Sequence, residues 1–207
     1  MFLENTVNLN EQFGWIEVIC GSMFSGKTEE LIRRLKRAQF AKQKIEIFKP
    51  SIDNRYENDL VTSHDQNKIR STPVPAATNI PILASECDVV GIDEAQFFDS
   101  EIVQVCNDLA NQGIRVIVAG LDMDFKGNPF GPMPALMATA EYVTKVHAVC
   151  TQTGNLAQYS HRILQDDDLV VLGEREVYEP LSRAAFYKAR MEESLQKNRK
   201  GKSKKNS

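Results

Sequence analysis

The chain has 207 residues, of which 42% are hydrophobic and 26% charged. That is enough apolar material for one domain with a buried core, and it excludes a disordered, collagen-like or disulfide-scaffold chain. The net charge of −3 divides into +6 on the last twelve residues (Lys197, Arg199, Lys200, Lys202, Lys204, Lys205) and −9 on the body. An acidic body argues against a nucleic-acid-binding face, and the tail reads as a solvated, disordered end.

No apolar run nears the ~18–20 residues of a membrane helix. Met1 to Glu11 lacks the basic start and apolar centre of a secretory signal, so a cytoplasmic protein without a membrane partner is expected. Residues 1–13 read as a flexible arm. Trp15 to Cys20 is a short buried strand that runs into a glycine-bearing loop. From Gly26 to about Ala41, Leu31, Ile32, Leu35 and Ala38 fall at helical spacing, with Arg33, Arg34, Lys36 and Arg37 between them. Lys44 to Phe48 is a second strand, ended by Pro50. Residues 50–70 carry no period and read as a functional lid or a disordered loop.

Asp88 to Asp93 is a strand, Asp99 to Asn111 a helix stopped by Gly113, and Ile114 to Ala119 a strand apolar on both faces. Strands alternating with helices predict a parallel sheet covered on both sides. The predicted organisation is a P-loop, RecA-like α/β domain over 14–144. A small β-rich lobe or long flap follows over 145–190, and the basic tail over 191–207. A last helix is expected from about Ser182 to Gln196. Cys20, Cys87, Cys106 and Cys150 form no C-x-x-C pair and read as reduced structural thiols.

Gly21-Ser22-Met23-Phe24-Ser25-Gly26-Lys27-Thr28 satisfies G-x-x-x-x-G-K-[ST] between a predicted strand and a predicted helix. In such a loop backbone N–H groups converge on phosphate oxygens, the lysine bridges the outer phosphates, and the threonine hydroxyl ligates Mg²⁺. Asp93, at the end of an apolar strand, supplies the second carboxylate on the metal side. Glu94 follows it as a candidate general base, for a substrate hydroxyl in a kinase or for water in an ATPase. Phe97, Phe98, Leu121, Phe125 and Phe130 crowd the neighbouring strand ends, where a planar base could insert. From the residues alone, three readings stand: a kinase for a small acceptor, a P-loop ATPase whose tail touches nucleic acid, and a non-catalytic nucleotide sensor.

Several blocks carry a closer likeness. Gly21 to Leu31 with Arg33-Arg34, Lys49-Pro50 leading to Asp53-Asn54-Arg55-Tyr56, and Ser63-His64 come first in the chain. Ile92 to Phe98, Gly120 to Phe125 and Pro129-Phe130-Gly131 follow. Together they resemble the type II (human cytosolic-like) thymidine kinases, in order through about residues 15–190. The resemblance implies Mg-ATP-dependent phosphorylation of the 5′-hydroxyl of thymidine to the monophosphate, within nucleoside salvage. It implies Gly21 to Thr28 as the triphosphate site and Glu94 as the base. Arg55 is then the arginine near the transferring phosphate, and Asp53 its neighbour. Met23, Leu121, Phe97, Phe125 and Phe130 enclose the thymine, with Ser160 near the base where relatives commonly carry threonine. Tyr178, Leu169 and Val171 lie on the flap that closes over the nucleoside. It further implies a homotetramer and inhibition by thymidine triphosphate.

One element of the family pattern is missing. The structural zinc that the family holds with two C-x-x-C-like pairs meets here Cys150-Thr151-Gln152-Thr153 and Ser182-Arg183-Ala184-Ala185. One thiolate, two hydroxyl residues and an alanine do not close a tetrahedral site, and His147 and His161 are poor substitutes, so no zinc is expected. Packing of Leu156, Tyr159, Leu181 and Phe186 is expected to take the metal's place.

Overall fold

A computed structural model describes residues 13–52, 60–62, 68–163 and 177–203. The chain forms β1 (Trp15–Gly21), α1 (Lys27–Phe40), β2 (Ile45–Pro50), β3 (Leu60–Thr62), β4 (Lys68–Arg70), β5 (Thr72–Val74) and α2 (Ile80–Leu83). Then come β6 (Val89–Ile92), α3 (Glu101–Asn111), β7 (Arg115–Leu121), α4 (Met133–Thr139) and β8 (Tyr142–Val146). The last part holds β9 (Ala148–Val149), β10 (Leu156–Ala157), β11 (Tyr159–Arg162), β12 (Tyr178–Leu181) and α5 (Arg183–Ser203).

Six strands make one sheet in the order β5-β2-β6-β7-β1-β8, and every pairing in it is parallel. The two faces bury different partners. Ile16, Val18 and Cys20 of β1 point to the side covered by α3 and α4, with Ile102, Leu109, Met133 and Leu136. Ile19 points the other way, against Leu31, Ile32, Leu35 and Ala38 of α1. This burial on both faces is why β6 and β7 read as unbroken apolar runs. The aperiodic stretch 50–70 contains an antiparallel hairpin, with Leu60 opposite Arg70.

The polar stripe expected on α1 is not all solvated. Arg34 is buried and donates to the Glu17 carboxylate at 2.7 Å, to Glu30 at 2.8 Å and to the Thr144 hydroxyl at 3.0 Å. Glu17, 1% exposed, also accepts from Arg115 at 2.7 Å and from the Trp15 indole at 2.8 Å. One carboxylate thus ties α1 to β1 and β7, and Arg34 extends the network to β8. Burial alone would raise the Glu17 carboxyl, but the Arg115 hydrogen bond and charge, with Trp15 and Arg34, bring it below the ordinary carboxylate range.

A third core lies beyond the sheet. Ala148, Cys150, Ala157, Tyr159, Leu181, Ala185 and Phe186 pack together, with Tyr159 stacked on Phe186 at 4.4 Å between ring centroids. Three of the four side chains expected there are present. Leu156 is not: it is 70% exposed, because alternation along the two-residue β10 turns Ala157 inward and Leu156 outward. The last helix starts at Arg183 and extends past the expected Gln196, through residues that are mostly good helix formers.

Replacing Glu17 by Ala leaves Arg34 buried without its main anion, and urea unfolding should show a loss of about 3–5 kcal/mol. Arg33→Ala, which breaks a pair whose arginine is 53% exposed, should cost below about 1 kcal/mol. The Arg33 hydrogen bond, partly opposed by burial and helped by Arg34, lowers the Glu30 carboxyl to about 2 from an ordinary 4.5. Its contribution is therefore complete above pH ~4.5 and lost as pH falls toward ~2. Thermal melts across that window should fall less steeply in Glu30→Gln than in the parent chain.

Candidate active site

β1 ends in the loop 21–26, and α1 starts at Lys27. Gly21 is needed at the turn: it has φ +150, and a Cβ there would lie 2.2 Å from the Val146 carbonyl oxygen of β8. The Ser25 hydroxyl and the Lys27 ammonium both donate to the Ser22 carbonyl, at 2.7 and 2.8 Å. The loop therefore carries its cation above its own backbone, at the amino end of a fourteen-residue helix. The Phe24 side chain packs against the third core, so only its backbone belongs to the cradle.

Asp93 follows β6, two strands away from β1 across β7. Its Oδ2 lies 3.4 Å from the Thr28 hydroxyl, and its Oδ1 accepts the Glu94 N–H at 2.9 Å. Thr28 and Asp93 together offer two hard oxygens side by side, the donor type Mg²⁺ selects. Glu94 is half-buried with a left-handed backbone (φ 52, ψ 39), which turns the chain sharply into the 3₁₀ turn Ala95–Phe97. Gln96 within that turn donates from Nε2 to Glu94 Oε2 and accepts the Leu121 N–H at 2.9 Å. No spacing in the sequence marks Gln96, because Leu121 meets it only through the fold.

Beside these groups stand the aromatic walls. Phe97 meets Phe130 edge to face at 5.7 Å between centroids. Phe98 does not belong to the wall; it is buried with Ile102 and Leu109 behind the sheet, since the turn 95–97 directs it inward. Phe125 is covered by the Arg162 guanidinium at 3.7 Å, and Arg162 donates to the Tyr178 hydroxyl at 2.9 Å. Arg162 thus joins two of the expected nucleoside residues, a role no motif signalled. Asp122, at the end of β7, is buried and meets Lys145 Nζ of β8 at 2.6 Å.

Ser160 is buried, and its hydroxyl accepts the Met23 N–H at 2.9 Å. The Ser22 hydroxyl donates to the Ala157 carbonyl at 3.4 Å. These two bonds dock the lobe onto the phosphate loop. Leu121 and Met23 are half-buried at the same edge. Asp53, Arg55, Leu169 and Val171 lie outside the described residues.

The four positions that would carry zinc sulfurs do converge. The hydroxyls of Thr153 and Ser182 are 3.4 Å apart, and Ala185 N–H donates to Ser182 Oγ at 3.5 Å. Burial works to raise the Cys150 thiol, but hydrogen bonds from the Thr153 hydroxyl, from Ser182 and from the Gln152 backbone bring it down to about 6. Cys20 and Cys106 go the other way, pushed by burial to about 11 and about 12. All four cysteines are free. His147 is exposed, while His161 is held between Glu179 at 3.1 Å and Glu193 at 3.0 Å. Among the described residues, no group of three or more His, Cys, Asp and Glu is arranged to hold a metal ion.

Comparison with known proteins agrees with this geometry. The family model described as "Thymidine kinase" matches residues 14–186. A protein named thymidine kinase from Bacteroides fragilis is 60% identical over 193 residues, covering 93% of this chain and 97% of that protein. Similarly named proteins from Porphyromonas gingivalis and a Rhodothermus species are 62% and 60% identical. They cover 84% of this chain each, and 86% and 81% of their own lengths.

Ser160→Ala removes the acceptor of the Met23 N–H, a bond worth about 1 kcal/mol. Hydrogen exchange at the Met23 amide should quicken about fivefold, whereas Ser160→Thr, which keeps the hydroxyl, should leave it unchanged.

Proposed function

The chain belongs to the thymidine kinase family and transfers the γ-phosphate of ATP to the 5′-hydroxyl of thymidine; from that premise we propose how its residues divide the work. The loop Gly21 to Gly26, through backbone N–H groups other than that of Met23, which Ser160 holds, binds the triphosphate with the amino end of α1 and the Lys27 ammonium, and together they balance its charge. Thr28 and Asp93 would hold Mg²⁺, which would neutralise charge on the phosphates. Glu94 accepts the proton of the 5′-hydroxyl as its oxygen attacks the γ-phosphorus. The bond to the β-phosphate oxygen breaks, and ADP leaves with the electron pair.

The observation that supports this reading best is Asp93 itself. One carboxylate touches the Thr28 hydroxyl with one oxygen and the Glu94 N–H with the other. Metal ligand and base therefore share one rigid strand end, beside walls fit for a planar ring. Phe97, Phe130, Leu121, Phe125 and Met23 enclose that ring. Tyr178 holds the pocket from the lobe, with Leu169 and Val171, and Ser160 supports Met23. Asp53 and Arg55 act at the transferring phosphate.

The finer assignments are also ours. The chain is of the type II, human cytosolic-like kind, serves deoxynucleoside salvage in the cytoplasm, works as a homotetramer and is inhibited by thymidine triphosphate. No helix of the described residues is long and apolar enough to cross a membrane. Residues 14–144 carry the donor site and 145–190 the flap, with 1–13 outside both; of the tail 191–207, Glu193 still reaches the lobe through His161. The lobe holds no zinc, because Thr153, Ser182 and Ala185 replace three sulfurs with two hydroxyls and a methyl.

Incubation with Mg-ATP and each deoxynucleoside in turn should give monophosphate from thymidine above the others; product from none of them contradicts the assignment. Glu94→Gln should keep ATP affinity while lowering kcat by about 10²–10⁴. Lys27→Ala should abolish transfer, since the charge developing on the outer phosphates loses its counterion. Metal analysis of the purified protein should find no stoichiometric zinc, and about one zinc per chain would overturn that part.

A further inference from the structure

Gln96 has no place in the scheme above, yet it is among the most constrained side chains at the site. It is 3% exposed, and each end of its amide meets a partner that dictates its sense. The Leu121 N–H can only donate, so the amide oxygen must face it; the amide nitrogen then faces Glu94 and donates to Oε2. Turning the amide over would set N–H against N–H and oxygen against carboxylate.

The surroundings are cut to fit. A Cβ at Gly120 would stand 2.9 Å from Gln96 Oε1, and one at Gly131, where φ is +50, would stand 2.4 Å from the Gln96 carbonyl oxygen. Two glycines therefore make the space in which Gln96 sits. Glu94 is held at its backbone by Asp93, through the N–H, and at its carboxylate by Gln96.

We infer that Gln96 is a positioning residue for phosphoryl transfer: it sets the direction of the Glu94 carboxylate and references it to Leu121, so that base and nucleoside wall keep one mutual distance. This rests on the reading of Glu94 as the base. The link runs through one side chain between β6 and β7, which are paired directly in the sheet. A small displacement of a reacting group can cost about 10²-fold in rate, and that is the scale at stake here.

The test is steady-state kinetics on the parent chain, Gln96→Leu, Glu94→Gln and the double variant, with thymidine and Mg-ATP. Gln96→Leu should lower kcat by about 10²-fold with the ATP KM within about threefold, and should lower it by less than about twofold once Glu94 is already Gln. Gln96→Asn keeps a neutral amide that is one methylene too short to span the Leu121 N–H and Glu94. It should lose kcat on the same scale while keeping the parent's far-UV circular dichroism and ATP affinity, which covers the case in which Gln96→Leu fails to fold. Either variant with kcat within about threefold of the parent overturns the inference. So does an equal fold loss of Gln96→Leu in both backgrounds, the mark of a purely structural part. If Glu94→Gln itself keeps full kcat, the base assignment fails and this inference fails with it.

Discussion

Thr28 and Asp93 are 65 positions apart and come from elements separated by a whole strand, yet their side-chain oxygens stand 3.4 Å apart. The site depends on that approach, because it puts a phosphate cradle and a carboxylate pair on one sheet edge. Strand register is what produces it. Val18 of β1, Val118 of β7 and Ile92 of β6 lie in line across the sheet, and Asp93 follows at once. A slip of one residue would turn Asp93 to the opposite face. Burial on both faces resists such a slip, and the Glu17 network locks α1, which opens with Lys27 and Thr28, to the same strands.

The lobe meets this frame through few but specific contacts. Ser160 and Ala157 hold the backbone and hydroxyl of the phosphate loop, and Phe24 reaches from the loop into the lobe's own core. The loop 21–26 and the lobe are thus mechanically joined. In the lobe's own core Tyr159 stacks on Phe186, and hydrogen-bond donors surround the Cys150 thiol.

How much of this could be read beforehand follows from how local each signal is. The phosphate loop is legible because eight consecutive residues determine its chemistry, and the alternation of buried strands and amphipathic helices announces the parallel sheet. Arg34 hid among the exposed arginines of α1, since no periodicity reveals that a glutamate on a neighbouring strand waits for it. Gln96 and Arg162 were silent for the same reason: their partners, Leu121 and Phe125, are distant in the chain. Leu156 misled because β10 is too short to show its alternation, and Phe98 because the 3₁₀ turn before it decides its direction.

The juxtaposition of Glu94, the sugar hydroxyl and the phosphates is tested best by a direct spatial measurement. A crystal structure with a bisubstrate analogue, thymidine joined to adenosine through a phosphate chain, would fix both ends of the reaction at once. A Glu94 carboxylate oxygen is expected about 2.6–3.2 Å from the sugar O5′, with the phosphates against Lys27. A carboxylate turned away from O5′, with another group in hydrogen-bond reach of it, would contradict the account.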